Sequence, residues 1–343
     1  MSEQSYEDRI RSQIEQYANT INMHDLPEIF HVWSHEYIGP GMKQVFGTSS
    51  IDEAYGLAYI DAAKHPEHTG RLLSIGCGDG AVEIRVAKYL IANGFNDFEF
   101  VCADLSPILL GHLKKAVAAE GLTKHFTPVE ADLNKIQIPG NFDVMMANHA
   151  LHHIEGLESL FEYSCQNLSP SGIFATCDMI GRNGHRRWPE TAAVLSALWP
   201  ALSVKKRYHS LLQRVNDTFL DHDCSKEGFE GIRAQDILPL MLKYLKPYKF
   251  FATGGFVDVI VDRGFGHAYD AKSPEDVSFI RFLADMNEVM LDSGVVKPTW
   301  VMAYFTKDDR GEKYYRDRNA RSSVRIAETH PSWTRFYKEP NHT

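Results

Sequence analysis

The chain has 343 residues, 44% apolar and 24% charged, with a formal net charge of −9. This is an ordinary globular composition, and its negative balance argues against a polyanionic partner, because phosphate backbones are bound by clustered Lys and Arg. No apolar run approaches the roughly 20 residues that span a bilayer, and the polar start MSEQSYEDRIRSQIEQY has no apolar signal core, so a cytoplasmic location is expected.

Five cysteines (Cys77, Cys102, Cys165, Cys177 and Cys224) are scattered without a CxxC pair. A disulfide framework or structural zinc site is therefore not expected. Charge is uneven: from Lys307 onward there are nine Lys/Arg against six Asp/Glu, net +3, which leaves −12 for the rest.

Residues 1–66 read as an N-terminal helical lid. DRIRSQIEQYANTI has helical apolar spacing. LPEIFHVWSHEYI follows His24 and Asp25, with Pro27 in its first turn. IDEAYGLAYIDAAK is capped by Ser49 or Ser50. Residues 67–180 alternate short apolar strands with amphipathic helices. RLLSIGCG is a strand and AVEIRVAKYLIANG a helix. FEFVCADL is a strand and PILLGHLKKAVAAEG a helix. FTPVEADL and FDVMMANHAL are strands, HIEGLESLFEYSCQNL is a helix, and GIFATCDMI is the fifth strand. Such alternation implies parallel pairing with helices on both faces, so the fold class is a doubly wound α/β sheet.

Residues 181–247 break the alternation and read as a helical cap insertion. Residues 248–306 complete the sheet. YKFFATGG is a sixth strand, FVDVIVDRGFGHAYD leans to helix, SPEDVSFIRFLADMNEVMLDSG is a helix capped by Ser273, and TWVMAYFTK is the last strand. Residues 307–343 form a polar, basic extension.

The loop between strand one and helix one is Gly76-Cys77-Gly78-Asp79-Gly80. Glycines there permit a tight turn and close approach of a ligand, and the next helix starts with free N–H groups. Ligands of doubly wound sheets bind at the strands' carboxyl ends. Asp104 ends strand two, where a carboxylate suits ribose hydroxyls. Asp132 ends strand three, where it can meet an adenine amino group. Ala81 stands where a dinucleotide fingerprint has its third Gly, which weighs against a nicotinamide cofactor.

LLSIGCGDG, Asp104, Asp132 and the segment from Asn148 to Ile154 together resemble the class I S-adenosylmethionine (SAM)-dependent methyltransferase family, over about residues 70–180. The resemblance implies a mostly parallel seven-stranded sheet in the order 3-2-1-4-5-7-6 with an antiparallel last strand. It implies SAM as cofactor, held by Gly76, Gly78, Asp79, Gly80, Asp104, Leu105, Asp132, Leu133 and Asn148. Asp79 is a candidate for the methionine amino group, and Asn148 for the cofactor's amino-acid end.

Methyl transfer from a sulfonium is an in-line displacement that needs alignment and a dry pocket. His149, His152 and His153 at the end of strand four are candidate general bases; each can equally cap the following helix. Lid residues Trp33, Tyr37 and Tyr17 are candidates to face the acceptor. Asp178, Arg182 and Trp188 lie after strand five, with Arg186 and Arg187 suited to a carboxylate or phosphate and His185 as a further base. GFEGIRAQDILPLM, with Arg233, resembles a stretch of bacterial methyltransferases without naming a substrate. No metal-ligand spacing is evident, so no metal is expected.

The expected activity is methylation of a small-molecule acceptor at an oxygen, nitrogen, sulfur or carbon nucleophile. Protein methylation and non-catalytic SAM binding are the alternatives. Amino-group DNA methylation is disfavoured, because strand four ends Asn148-His149-Ala150-Leu151 where those enzymes have Asp/Asn-Pro-Pro-aromatic. Neither a nucleic-acid nor a membrane partner is expected, and a homodimer is left open.

Overall fold

The computed structural model describes residues 26–226 and 228–325. The expected helix DRIRSQIEQYANTI, Tyr17, the cap candidates His24 and Asp25, and the tail beyond 325 lie outside the described residues.

The first described elements form one helical run. Helix α1 (Glu28–Trp33) follows Pro27, passes through a π-helical turn at Ser34–Ile38, and continues as α2 (Gly39–Phe46). Pro40 has no N–H to donate to the turn before it, and the wider π turn absorbs that break. Gly47, at φ 89°, ends the run. Ser50 rather than Ser49 caps α3 (Ile51–Ala62), its Oγ accepting from the Glu53 N–H.

The core strands are β1 (Arg71–Ile75), β2 (Glu99–Asp104), β3 (Phe126–Glu130), β4 (Phe142–Asn148) and β5 (Leu168–Met179), joined by α4 (Ala81–Ala92), α5 (Pro107–Ala119) and α6 (Leu157–Asn167). A small hairpin, β6 (Tyr208–His209) with β7 (Arg214–Val215), stands apart from the main sheet. Helices α7 (Pro189–Leu198) and α8 (Ala234–Tyr244) precede β8 (Lys246–Thr253), and α9 (Val257–Val261) and α10 (Pro274–Asp292) precede β9 (Trp300–Thr306). The last pieces are β10 (Lys313–Tyr314) and α11 (Ala320–Ser323).

The main sheet runs β3-β2-β1-β4-β5-β9-β8-β10. With β8 and β9 as sixth and seventh strands, this is the expected order 3-2-1-4-5-7-6. β9 is antiparallel to both its neighbours. An eighth strand, β10, adds in parallel to β8, where TWVMAYFTK was expected to be the last. A two-residue strand from a polar segment has no periodicity to announce it.

One face of the sheet is covered by α2, α3, α4 and α5 through Met42, Tyr55, Leu90 and Leu113. The other is covered by α6 and α8 through Leu160, Phe161, Ile237 and Met241. Within the segment read as a lid, α3 is therefore a layer of the core, and within the segment read as a cap, α8 is too. A third cluster joins α1 to α7, α9 and α10 through Ile29, Trp33, Leu195, Ile260 and Leu283, with Trp199 and Phe256 from the flanking turns. This cluster stands apart from the two that cover the sheet. Tyr55, whose hydroxyl donates to the Ala147 carbonyl at 3.0 Å, ties α3 to the carboxyl end of β4.

Glu83, in the first turn of α4, is buried beneath the glycine loop. Its Oε1 accepts from the Ser74 hydroxyl at 2.6 Å, and its Oε2 has no hydrogen-bond partner among the described residues. Burial raises its pKa to about 7. The folded state thus holds this proton more tightly than the unfolded chain does. Its contribution is full below the unfolded pKa and is lost as pH rises through about 7. The loss between pH 4.5 and 7.5 amounts to about 3 kcal/mol. Urea midpoints at these two pH values should converge in Glu83→Gln, relative to the parent chain; parallel pH profiles would refute the assignment.

Candidate active site

The glycine loop turns sharply at three left-handed positions: Gly76 at φ 73°, Gly78 at 56° and Gly80 at 78°. A Cβ at Gly76 would lie 2.7 Å from Ala150 Cβ, and one at Gly80 would lie 2.0 Å from Leu113 Cδ1. These two glycines let the loop sit tight against β4's exit and α5. A Cβ at Gly78 would meet no atom within 4 Å, so the middle of the loop faces open space.

Asp104 fixes the loop's shape. Its Oδ2 accepts from the Gly78 N–H at 2.9 Å and its Oδ1 from the Ser106 N–H at 2.8 Å. Burial nonetheless pushes its carboxyl above the usual range. Helix α5 is capped by Ser106, whose Oγ accepts from the Leu109 N–H. Asp79 is exposed and accepts from Ala81 N–H at 3.1 Å. Asp132 caps the short turn Leu133–Lys135 by accepting from Asn134 N–H. Leu105 and Leu133 are half-buried beside the two acids. Asn148 Oδ1 lies 3.4 Å from the Tyr55 hydroxyl. All the expected cofactor residues thus gather at the carboxyl ends of β1, β2, β3 and β4.

Residues 73–174 match a family model described as a methyltransferase domain. This stretch is thus similar to a methyltransferase domain, and it lies in a sheet with the strand order that the sequence resemblance implied. No curated protein matches the chain. Solved structures with partial similarity include an O-methyltransferase domain, StiE residues 961–1257, at 12% identity over 84% of each chain with a TM-score of 0.44. Another is the O-methyltransferase of a trans-AT PKS multienzyme of Brevibacillus brevis, with S-adenosylhomocysteine, at 11% identity over 83% of this chain and 81% of that one, TM-score 0.43. A third is geranyl diphosphate C-methyltransferase of Streptomyces coelicolor A3(2), at 10% identity over 88% and 98%, TM-score 0.44.

The three histidines of the strand-four motif have three different environments. His149 is exposed and holds a left-handed backbone at φ 49°, with its Nε2 3.6 Å from Cys177 Sγ. Such a conformation is strained for a residue with a side chain and persists where the surroundings impose it. Here the His149 N–H donates to the Cys177 carbonyl at 2.7 Å. His152 is buried, with Nδ1 2.5 Å from Asp178 Oδ1. Burial alone would lower its pKa, but Asp178 and Glu230 raise it to about 9. Burial and the neighbouring His152 push His153 down to about 3.

Asp178 corrects one expectation. It is fully buried, and its Oδ2 accepts from the N–H groups of Ala150 and Leu151 at 2.9 and 2.8 Å. It shapes the loop after β4 instead of facing an acceptor. Against the cost of burial, His152 holds its carboxyl below the usual range.

The lid and loop candidates are also redirected. Trp33 is buried in the third cluster. The Tyr37 hydroxyl donates to Asp285 at 2.9 Å on α10. Both hold this cluster together, because the apolar face of α1 finds α9 and α10. Arg187 lies 3.1 Å from Asp258 and Arg186 3.6 Å from Asp223, so these two charges are already paired. Arg182 is half-buried before the turn Asn183–His185. Trp188 precedes α7 with its ring 4.8 Å from the Arg325 guanidinium.

Two residues of the site were missed from sequence. Glu230 accepts from His185 Nε2 at 2.7 Å, and the two histidines His185 and His152 hold it far below the usual carboxylate range despite its burial. Tyr55 orients the Asn148 end of β4. The apolar helical face carrying Tyr55 and the quoted segment GFEGIRAQDILPLM, which contains Glu230, were the advance signals, and neither singled out these two residues. No described helix is long and apolar enough to cross a membrane.

Proposed function

We propose that the enzyme transfers a methyl group from SAM to a small-molecule acceptor seated under the cap, at the carboxyl ends of β4 and β5. The observation that carries this reading is the glycine loop pinned by Asp104, with Gly78 facing open space. SAM, when bound, supplies an electrophilic methyl group on a sulfonium sulfur. The chain's own residues hold and orient. Gly76, Gly78 and Gly80 allow close approach, and Asp104 keeps carboxylate lone pairs for ribose hydroxyls. Leu105, Asp132 and Leu133 bound the adenine side, with Asp79 and Asn148 toward the amino-acid end. The cap cluster of α1, α7, α9 and α10 excludes water, which suits an enclosed small acceptor.

Among the strand-four histidines, His149 alone is exposed. It is the residue of the three that can touch an acceptor and take its proton. Replacement by Gln should lower kcat by about 100- to 10,000-fold, the usual range for a general base, with SAM affinity retained by calorimetry. A kcat within threefold of the parent enzyme would remove His149 from the chemistry. The cytoplasmic location and the absence of a nucleic-acid partner belong to the same reading, supported by the net charge of −9.

A further inference from the structure

Three loops deliver donor atoms to one point that the methyl-transfer reading does not use. His152 comes from the loop after β4, His185 from the loop after β5, and Glu230 from the loop before α8. His152 Nε2 lies 3.6 Å and His185 Nε2 2.7 Å from Glu230 Oε1, and the three residues offer ligand atoms all within 4.8 Å of one another. We propose that His152, His185 and Glu230 bind one divalent first-row transition-metal ion, of the zinc, iron or cobalt kind.

The distances fit such an ion. Two ligands at tetrahedral positions around zinc are about 3.3 Å apart, and the two observed spacings bracket that value. The donor set fits as well: two imidazoles and one carboxylate suit these metals, whereas magnesium and calcium favour all-oxygen shells. Behind His152, the Asp178 carboxylate holds Nδ1 at 2.5 Å and leaves Nε2 to face Glu230. A carboxylate behind a histidine is the usual way a metal-binding imidazole is oriented.

The backbone holds the three loops in register. The Ile232 N–H donates to the His152 carbonyl at 3.0 Å, and the Gly184 N–H to the Gly231 carbonyl at 2.8 Å. A Cβ on Gly231 would stand 3.1 Å from the backbone nitrogens of both Gly184 and His185, so glycine there permits the approach. His185 itself holds φ 56°, a strained value that the stitching sustains. Side-chain exposures of 6%, 22% and 28% for His152, His185 and Glu230 place the cluster under cover with one open side.

Three protein ligands leave coordination positions for an outside oxygen. The ion would sit beside the expected acceptor position, so an acceptor bearing a hydroxyl, enol or carbonyl oxygen is the class it would orient. This last step rests on the methyltransferase reading; the metal site itself does not.

The test uses the full-length protein, stripped with a chelator and dialysed. Zn2+ is titrated by calorimetry, and Co2+ by visible absorption. One equivalent per chain should bind, with ligand-field bands for Co2+. Affinity should fall at least 100-fold in His185→Ala and in Glu230→Gln, with SAM affinity retained in both. Absence of saturable one-to-one binding in the parent protein, or equal binding in both variants, would overturn the site. SAM titration of the parent reports separately on the methyltransferase reading, so the two failures are distinguishable. If one variant does not fold, the parent titration and the other variant still decide.

Discussion

Asp178→Ala should lower the stability of this enzyme by about 3–5 kcal/mol, the usual cost of removing one partner from a buried charge pair. The residue is fully buried and, besides accepting from the Met179 N–H, closes the loop after β4. It accepts from Ala150 and Leu151 N–H groups and faces His152 Nδ1 at 2.5 Å. Its removal leaves His152 Nδ1 and two buried N–H groups without their acceptor, each costing roughly 1–3 kcal/mol. For a chain of this length the unfolding entropy converts such a loss to a Tm drop of roughly 4–7 °C. Asp178→Asn should cost less, since the amide oxygen still accepts from part of the loop. Differential scanning calorimetry of both variants checks this. A Tm within 1 °C of the parent for Asp178→Ala would show that the loop after β4 is shaped by something else.

Asp104→Ala should weaken SAM binding by about 100-fold, measured by isothermal titration. Two effects add. The carboxylate's direct hydrogen bonds to a ribose are worth about 1.5–3 kcal/mol where a charged group takes part, and each 1.4 kcal/mol is tenfold in affinity. The loop also loses its anchor, because Asp104 holds the Gly78 and Ser106 N–H groups. Asp104→Asn separates the two effects: it keeps one acceptor oxygen for the backbone but loses the charge. An intermediate loss is expected there. Undiminished affinity in Asp104→Ala would end the ribose assignment and with it the strongest residue-level argument for the cofactor site.

Most of the sheet was legible in the sequence for a local reason. Each strand from β1 to β5 is a short apolar run between turn residues, and each following helix carries its apolar stripe at helical spacing. Ser50 and Ser273 announce helix starts by capping chemistry that acts over three residues. The glycine loop was legible because φ near 60–80° at Gly76, Gly78 and Gly80 is a local backbone demand. The short strand β10 and the division of labour among α1, α2 and α3 were not legible. An amphipathic helix shows that it has a buried face, not which surface will bury it.

The glycine loop with Asp104 and the alternation of core strands and helices along the chain were thus determined by the sequence alone, through backbone conformations and apolar periods that each depend on a few neighbouring residues; the strand order was implied by the family resemblance. The burial and hydrogen-bond partners of Asp178, Trp33, Tyr37 and the three histidines were decided only by the tertiary structure. So was the meeting of His152, His185 and Glu230, which are separated by 33 and 45 positions in the chain. Burial and pairing set the protonation and reach of these groups, and both arise from contacts between segments that no local spacing records.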